Sequence, residues 1–541
     1  MDKALQAFGE KFLKYVLATT HLDADPTPQQ RETISLLEDN IARLDQENID
    51  GLNRYSTLQN FVAQTLQGGP SLANQMRLHC GGILPVVNDE DPLVANLVRF
   101  AIDVYPLLLI SPPKDHTFPG KLSMAATFNH TNRHDFYTSV MRDELLSSIF
   151  AHSPESDHDN TSEQSHLGIQ SDPLFFSNGK SGGIQLTSLP DSLLDYAWQI
   201  CLAKGGAEID EYLEEVRTTL GVARRIVEGK QAQVYTIVGL GGVRLEDNQS
   251  IDLSFGRLIA VQEAALEAIV RHRDLQQRTQ AFLLVPTPLK IMGNISGDAE
   301  VDQFYKKNSD VFESHRGDLE YNILRTRLAL LLASTDERLV ASPVTFQTTL
   351  EPLTSSSGYS WLPIDFSGAS VNISAETALR VKNWSNILKE RHPKSLNIAA
   401  RRLLSAVSTR FDATDALIDA VVAWENMFGS PQEATLRVTG AMAKILEQNS
   451  FDDRKKLKSR LGEIYAARSD LIHGSHGKEP TRSAIYTYRQ EAIRYALDAL
   501  RWLYDNPTLL KKNSADRSLS ILLDAIEETG DSVTPLARGQ D

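Results

Sequence analysis

Cysteine is scarce in this chain: among 541 residues there are two, Cys80 and Cys201, far apart in sequence. They form no metal or redox spacing, so a disulfide-built secreted scaffold is excluded, and a reducing cytoplasm is the expected compartment. Long uninterrupted apolar runs are also missing. The most apolar segment, Leu93 to Ile110, is broken by Arg99, Asp103 and Pro106. That pattern predicts a core element and no membrane partner. The chain opens Met1-Asp2-Lys3-Ala4, a polar amphipathic start rather than a secretory leader. Glycine-rich nucleotide fingerprints are incomplete. Asn178-Gly179-Lys180-Ser181 resembles the end of a phosphate loop, but Leu174 stands where the first glycine is needed, and a strand is expected to follow. Gly239-Leu240-Gly241-Gly242 has Arg244 in place of the third spaced glycine and reads as a strand end where backbone turns or approaches closely. His130 and His134 are four apart, yet no motif supplies the remaining ligands of a metal site. No metal and no cofactor is expected. There is no internal repeat.

The remaining composition is that of an ordinary globular protein, 41% hydrophobic and 23% charged. The length allows two to four domains. A net charge of −15 excludes a protein coated in nucleic acid, because nonspecific affinity comes from neutralising phosphates. Charge is unevenly spread, however. From Phe451 to Arg517 there are 14 Lys or Arg against 9 Asp or Glu, a local positive balance on an acidic body. That distribution suits an enzyme meeting an anionic polymer at one place.

Apolar spacing predicts a mainly helical region over 1–150, with helical periods near Leu13–Leu17, Ile34–Leu44 and Leu93–Val104. Residues 151–171 are polar and read as a loop or linker. A mixed region follows over 172–375. Helix is expected over 190–230, then strands at Gln233–Gly239, Val243–Leu245, Ile251–Leu253 and Gln280–Val285, with a hairpin turn at Asp247–Ser250. A Ser/Gly-rich break at Ser355–Tyr359, with turn residues continuing to Ser370, precedes a helical domain over 380–525. Residues 526–541 are expected to fray. The fold class is therefore α+β and multidomain, mainly α. On the last helix Tyr488, Tyr495 and Trp502 recur every seven residues, a stripe expected to pack.

The densest chemistry lies in Tyr465-Ala-Ala-Arg468-Ser469-Asp470-Leu-Ile-His473-Gly474, at the end of a helical pattern. Arginine can hold a phosphate oxygen through two parallel hydrogen bonds while histidine moves a proton. Gly474 suits a left-handed C′ position, leaving His473 in the last turn where the helix dipole favours its protonated form. Five residues along an α-helix is about 500°, so Arg468 and His473 stand about 140° apart around the axis. They converge on one phosphate if the helix unwinds near His473 or if a second copy faces it across a two-fold axis. As a bare pattern Arg-x4-His is weak, with roughly one match expected by chance in a chain with these residue counts. Its surroundings carry the weight.

Helical patterns run from Ser395 into Ala406-Val407, and from Asp415 to Trp424-Glu425-Asn426-Met427-Phe428. Gly429-Ser430-Pro431 breaks the chain before a helix from Glu433 to Gln448, a charged run at Asp452–Arg460, the motif helix, and a last helix over Arg482–Tyr504. This order, with Arg468-Ser469-Asp470-Leu471-Ile472-His473-Gly474 closing the penultimate long helix, resembles the HEPN superfamily of helical nucleases. The likeness is greatest to its Apea-like branch and covers roughly residues 380–510. Ile251–Glu263 and Thr326–Ala333 look like the β-rich region that precedes the helical domain there. Trp424-Glu425 resembles the early helix that carries an acidic residue facing the site.

The resemblance implies a C-terminal HEPN-type bundle acting as a metal-independent endoribonuclease. It implies a cytoplasmic homodimer, of the kind found in bacterial anti-phage defence or toxin systems. Carried onto this sequence, the catalytic set is Arg468, His473, Ser469, Asp470 and Glu425, with His476 and Lys478 touching RNA. The mechanism implied is attack by the ribose 2′-hydroxyl, with a phage or cellular trigger acting through the N-terminal region. Ser469 departs from the pattern, since many members carry Asn, Asp or His directly after the arginine; a serine hydroxyl still hydrogen-bonds phosphate. The alternative is a non-catalytic dimerisation or RNA-binding module with the N-terminal region as ligand sensor. Arg468 paired with Asp470, Glu463 or Glu425, and His473 capping the helix end, is the structural alternative for the motif itself.

Overall fold

The computed structural model describes residues 1–65, 69–111, 131–150, 168–246, 249–270, 272–295, 298–335, 339–354, 359–361, 370–473 and 480–523. Helix dominates, with a few small sheets, so the class is α+β and mainly α. The chain forms two compact units. One comprises Met1–Asp252, Gly256–Asn322 and Val344–Pro363; the other comprises Leu253–Phe255, Ile323–Pro343 and Ile364–Asp541.

The first unit begins with α1 (Asp2–Phe8), α2 (Glu10–Val16), α3 (Pro28–Gln46), α4 (Gly51–Ala63), α5 (Leu72–His79), α6 (Pro92–Leu109) and α7 (Thr131–Arg142). Their starts are written locally. Thr27 and Gln30 form a reciprocal capping box ahead of α3, and Asp91 accepts the amides of Leu93 and Val94 ahead of Pro92 in α6. Helix α6 is mostly apolar, with Arg99 exposed in its first half, and is buried without a break from Phe100 to Leu109, the signature of a central helix. Its Asp103 is buried and accepts Ser71 N–H and the amide nitrogens of Asn74 and Asn132. Three neutral donors thus solvate a carboxylate in the core.

A hairpin of β1 (Leu174–Phe176) and β2 (Ser181–Gly182) follows, then α8 (Leu189–Ala203) and α9 (Ile209–Val227). The strands β3 (Ala232–Leu240), β4 (Val243–Arg244), β5 (Ser250–Leu253) and β6 (Gly256–Ala260) lead to α10 (Glu263–Ile269) and α11 (Arg273–Arg278). Next come β7 (Ala281–Leu289), β8 (Ile291–Asn294), the long α12 (Asp298–Leu332), β9 (Val344–Thr349) and β10 (Tyr359–Trp361). The larger sheet has the order β10-β9-β3-β7-β6-β5, and β8 completes a smaller sheet with β1 and β2. Central β3 pairs antiparallel with β7, Ala232 opposite Leu289 and Leu240 opposite Ala281, and antiparallel with β9 on its other side. Thr236 bridges its neighbours by hydroxyl contacts to Thr287 at 2.8 Å and Thr349 at 2.9 Å, satisfying three buried polar groups at once.

The second unit takes α12 from Ile323 onward and adds β11 (Val371–Asn372), α13 (Ala375–Arg391), α14 (Asn397–Ser408), α15 (Ala413–Phe428), α16 (Ala434–Leu446), α17 (Phe451–His473), α18 (Arg482–Asp505), α19 (Pro507–Leu510) and α20 (Ser514–Leu523). Helix α15 is its middle, packed on α14, α16, α17, α18 and α20. It starts at the Asp412 cap and buries Leu417, Val421, Trp424, Met427 and Phe428. The indole N–H of Trp424 donates to Ala492 O at 3.0 Å. Two arginines close the end of α12: Arg501 donates to Leu332 O and Ser334 O, and Arg380 to Ala333 O. Arg517 is buried and donates to four carbonyls, those of Met427, Leu509, Leu510 and Lys512; burial lowers its pKa to about 10.

The expected strands are present, but three expectations change. Thr326–Ala333, read as part of a β-rich region, lies in α12 and the turn that ends it. A short apolar run does not distinguish strand from buried helix, and its Leu and Ala content favours helix. Tyr359, placed in the break, opens a strand beside β9. Regions 1–150 and 172–375, drawn as separate, contribute to one core running from Ala4 to Leu353. The turn at Asp247–Ser250, most of the 151–171 linker and the 526–541 tail fall largely or wholly outside the described residues. Leu93–Ile110 is a core helix, as read, and no described helix is long and apolar enough to cross a membrane.

His392, at the end of α13, makes the second unit acid-sensitive. Its Nε2 bonds Asn397 Oδ1 and its Nδ1 meets the Tyr504 hydroxyl, an arrangement suited to the neutral ring. Burial, with Arg325 adding repulsion, lowers its pKa to about 4. A depressed histidine contributes stability that is complete above its unfolded value, near 6.5, and is lost as pH falls toward 4. Protection factors of the α13 amides, taken relative to the slower intrinsic exchange in acid, should therefore fall between pH 6.5 and 4, and His392→Gln should flatten that part of the profile; an unchanged profile would place the acid response elsewhere.

Candidate functional site

The motif helix α17 runs unbroken from Phe451 to His473. Its inward positions follow helical spacing: Leu461, Ile464 and Tyr465 are buried, and Arg468 continues the same face one turn later. Across from that face lies Glu425 of α15. Its Oε1 accepts the Tyr465 hydroxyl at 2.6 Å and its Oε2 accepts Arg468 Nη2 at 3.0 Å. One carboxylate thus holds a phenol and a guanidinium. Gly429 ends α15 by donating to Glu425 O at 2.7 Å, and a Cβ at that position would stand 2.5 Å from the same oxygen. The glycine of Gly429-Ser430-Pro431 therefore permits the tight exit that closes the Glu425 turn.

The site is partly open, Arg468 keeping 16% of its side-chain exposure and Glu425 27%. Arg468 Nε is shut away from solvent and has no hydrogen-bond partner among the described residues. Burial first, then the hydrogen bond to Glu425, raises the Tyr465 pKa to about 12, with Arg468 pulling weakly the other way. Tyr465 is therefore a donor at any physiological pH.

Of the residues singled out in the sequence, the structure brings Glu425 and Arg468 together. Ser469 is half-buried, next along the helix; Asp470 is exposed and lies about 200° around the axis from Arg468, away from that face. Glu463 goes to Arg460 instead. His473 closes α17, and because the backbone stays helical its Cα lies about 140° from that of Arg468 and about 7.5 Å further along. His476 and Lys478, with Gly474, lie outside the described residues. Tyr465 joins the site as well: it precedes Arg468 by three positions, the spacing that puts two side chains on one helical face.

A second network sits nearer the start of α17. Arg460 donates to Glu491 at 2.7 Å and Glu463 at 2.8 Å, and its guanidinium lies 4.8 Å from the Tyr488 ring centre. These contacts raise its pKa further. The stripe Tyr488, Tyr495 and Trp502 is only half-buried; Ala492, Ile493, Ala496, Leu497, Leu500 and Leu503 make the core face of α18. Tyr488 and Tyr495 instead lie under the cations of Arg460 and Arg494. The local basic excess is also thinner than the composition implied. Arg454, Arg460, Arg501 and Arg517 are tied to carbonyls or carboxylates, whereas Lys455 and Lys458 remain exposed on α17.

The sites weighed and set aside have structural roles. Asn178 and Lys180 both donate to Glu351 Oε1, at 2.7 and 2.8 Å, and brace the β1–β2 turn. A Cβ at Gly239 would stand 2.3 Å from the Phe346 ring, so this glycine lets β9 approach β3. His130 lies outside the described residues, and no cluster of three His, Cys, Asp or Glu side chains suited to a metal is found among those described. Both cysteines are free thiols, and burial raises the Cys201 pKa to about 12.

Comparisons with family models, with curated proteins and with solved structures find no match to this chain.

The geometry separates a structural Arg468 from one held ready for a ligand. A partly exposed pair contributes about 1 kcal/mol or less. Arg468→Ala, which leaves Glu425 bonded by Tyr465, should cost no more than that in denaturant unfolding. Glu425→Ala strands both the phenol and the guanidinium and should cost roughly 2 kcal/mol. A loss near 3 kcal/mol for Arg468→Ala would mark the pair as a fold element.

Proposed function

We propose that the helical second unit is a HEPN-type, metal-independent endoribonuclease that works as a homodimer in the cytoplasm, within bacterial defence against phage. The reading rests on the resemblance of residues 380–510, and one observation carries it: the half-satisfied guanidinium of Arg468. Glu425, itself held by the Tyr465 phenol, positions that cation at the last turns of α17 through Nη2, the one donor of the guanidinium bonded among the described residues, and 16% of the side chain stays open to solvent. A phosphate oxygen can be held by the donors on that open side.

In this mechanism His473 withdraws the proton of a ribose 2′-hydroxyl, which attacks the adjacent phosphorus. Arg468 stabilises the added negative charge on the phosphorane, a contribution of about 3 kcal/mol per donor. Glu425 and Tyr465 hold the guanidinium in place. A second proton donor, His473 of the other copy, protonates the departing 5′-oxygen. The products are a 2′,3′-cyclic phosphate and a 5′-hydroxyl end, and DNA, lacking the nucleophile, is not cut. The unbroken helix favours the two-copy arrangement, because one straight helix holds Arg468 and His473 too far apart around its axis to meet one phosphate. His476 and Lys478 would contact the RNA strand, Ser469 a phosphate oxygen, and Asp470 the second copy's side of the site.

The ion pair itself favours a second reading, a non-catalytic dimerisation or RNA-binding module in which Arg468 only joins α15 to α17. One experiment decides between them. The full protein and its His473→Ala variant are incubated with total RNA and the new ends are mapped. The parent should leave 2′,3′-cyclic phosphates in the presence of EDTA, and the variant none. RNA that binds but stays intact with the parent would establish the second reading, and equal cutting by the variant would remove His473 from the mechanism.

A further inference from the structure

The first unit contains a cavity of about 520 Å³ between the end of α2, α5, α6 and the start of α9. Three cations line it, Lys11, Lys14 and Arg77, against a single carboxylate, Glu208. In a chain of net charge −15 this is a concentrated reversal of sign. We propose that the cavity binds a phosphate-bearing small molecule of about mononucleotide size.

Arg77 carries the argument. Its Nη1 donates to Tyr15 O at 2.7 Å and its Nε to Ile83 O at 3.0 Å, and the guanidinium lies 4.5 Å from the centre of the Tyr15 ring. Every one of these contacts is neutral. The cation is held still without being neutralised, and the remaining donors of the planar fork are matched to phosphate oxygens. The backbone makes room for it. A Cβ at Gly82 would stand 2.6 Å from Arg77 Cγ and 3.0 Å from Ala18 Cβ, so any other residue there would displace the arginine. Ala18, also in the lining, is left-handed at φ 48°, a conformation costly for a residue with a side chain.

The other walls define the rest of the ligand. Lys11 is exposed and has no ion-pair partner among the described residues, whereas Lys14 keeps Glu10 at 2.6 Å. With Glu208 and Glu10 set against the three cations the balance stays positive, the sign that attracts an ionised phosphate. Tyr15 and Tyr105 have their hydroxyls committed, to Asn74 Oδ1 and Ala207 O, and so contribute ring surface, alongside Leu109 and Ile209. Cations together with ring and aliphatic carbon in one cavity suit an anionic group joined to an apolar one. The volume falls within the range of small-molecule pockets, roughly 300–1,000 Å³.

Calorimetric titration of the full protein with AMP, GMP and adenosine tests this. The monophosphates should bind, and adenosine should bind at least about tenfold more weakly, the equivalent of one charge-assisted contact. Arg77→Gln should weaken AMP or GMP by a similar factor. Because Arg77 also anchors two carbonyls, Lys11→Glu serves as a second variant at a position that holds no other residue, and it too should lose affinity. Absence of binding by both monophosphates at millimolar concentration, equal binding of adenosine, or affinity unchanged in both variants would overturn the proposal.

Discussion

Trp424 has no solvent exposure, and that burial determines what its neighbour can do. Its indole fills the middle of the second unit and spends its one N–H on Ala492 O. With α15 locked in rotation by that anchor and by Leu417, Val421 and Phe428 on the same side, Glu425 must emerge at the margin of the core, facing α17. A carboxylate at a margin can be both structural and reactive. It is enclosed enough to hold Tyr465 and Arg468, and 27% of its side chain stays open to solvent. The direction of Arg468 follows from this placement, because among the described residues its guanidinium is held by Glu425.

The molecule treats its arginines in two distinct ways. Arg517, Arg501 and Arg380 serve as covers for carbonyls at helix ends, and Arg402 and Arg410 converge on buried Asp419. Burial alone would raise the Asp419 pKa, but hydrogen bonds from Arg410, Ser405 and Arg402 outweigh it and hold the carboxylate below its ordinary range. Arg517, buried and bonded to four carbonyls, is fully employed. Arg468 and Arg77 are not: each is fixed by a few contacts and left with donors unspent. Rigid placement combined with unspent donors is what an anion-binding group requires, since the ordering cost of the side chain is met before the ligand arrives.

Much of the architecture was legible in the residues. The apolar period from Asp415 to Phe428 announces α15, and that over Arg482–Tyr504 announces α18, because periodicity acts through near neighbours. The alternation in Gln233–Gly239 announces β3 for the same reason. What could not be read is instructive. Thr326–Ala333, likened to a β-rich region, is a short apolar run that does not by itself separate strand from buried helix; its Leu and Ala content and its burial in the second unit go with the helix. Tyr488, Tyr495 and Trp502 fit a core stripe by spacing, yet the axis of α18 is turned so that the positions beside them face inward. A sevenfold repeat fixes which residues share a face but not which face is buried. Tyr465 opens the motif segment, and only the position of α15 makes it a partner of Glu425.

The linear chain by itself determined that this protein is mainly helical, where most helices begin, and that arginine and histidine share one helix end, since these depend on spacing, caps and local backbone preference. It also determined that the arginine and histidine cannot meet one phosphate on a straight helix, a consequence of 3.6 residues per turn. Tertiary structure alone decided which of three nearby carboxylates takes Arg468, and that Lys11, Lys14 and Arg77 surround one cavity. Those outcomes depend on distances between segments far apart in sequence, which are set by how helices of given shape fill a core and are written in no single stretch of residues.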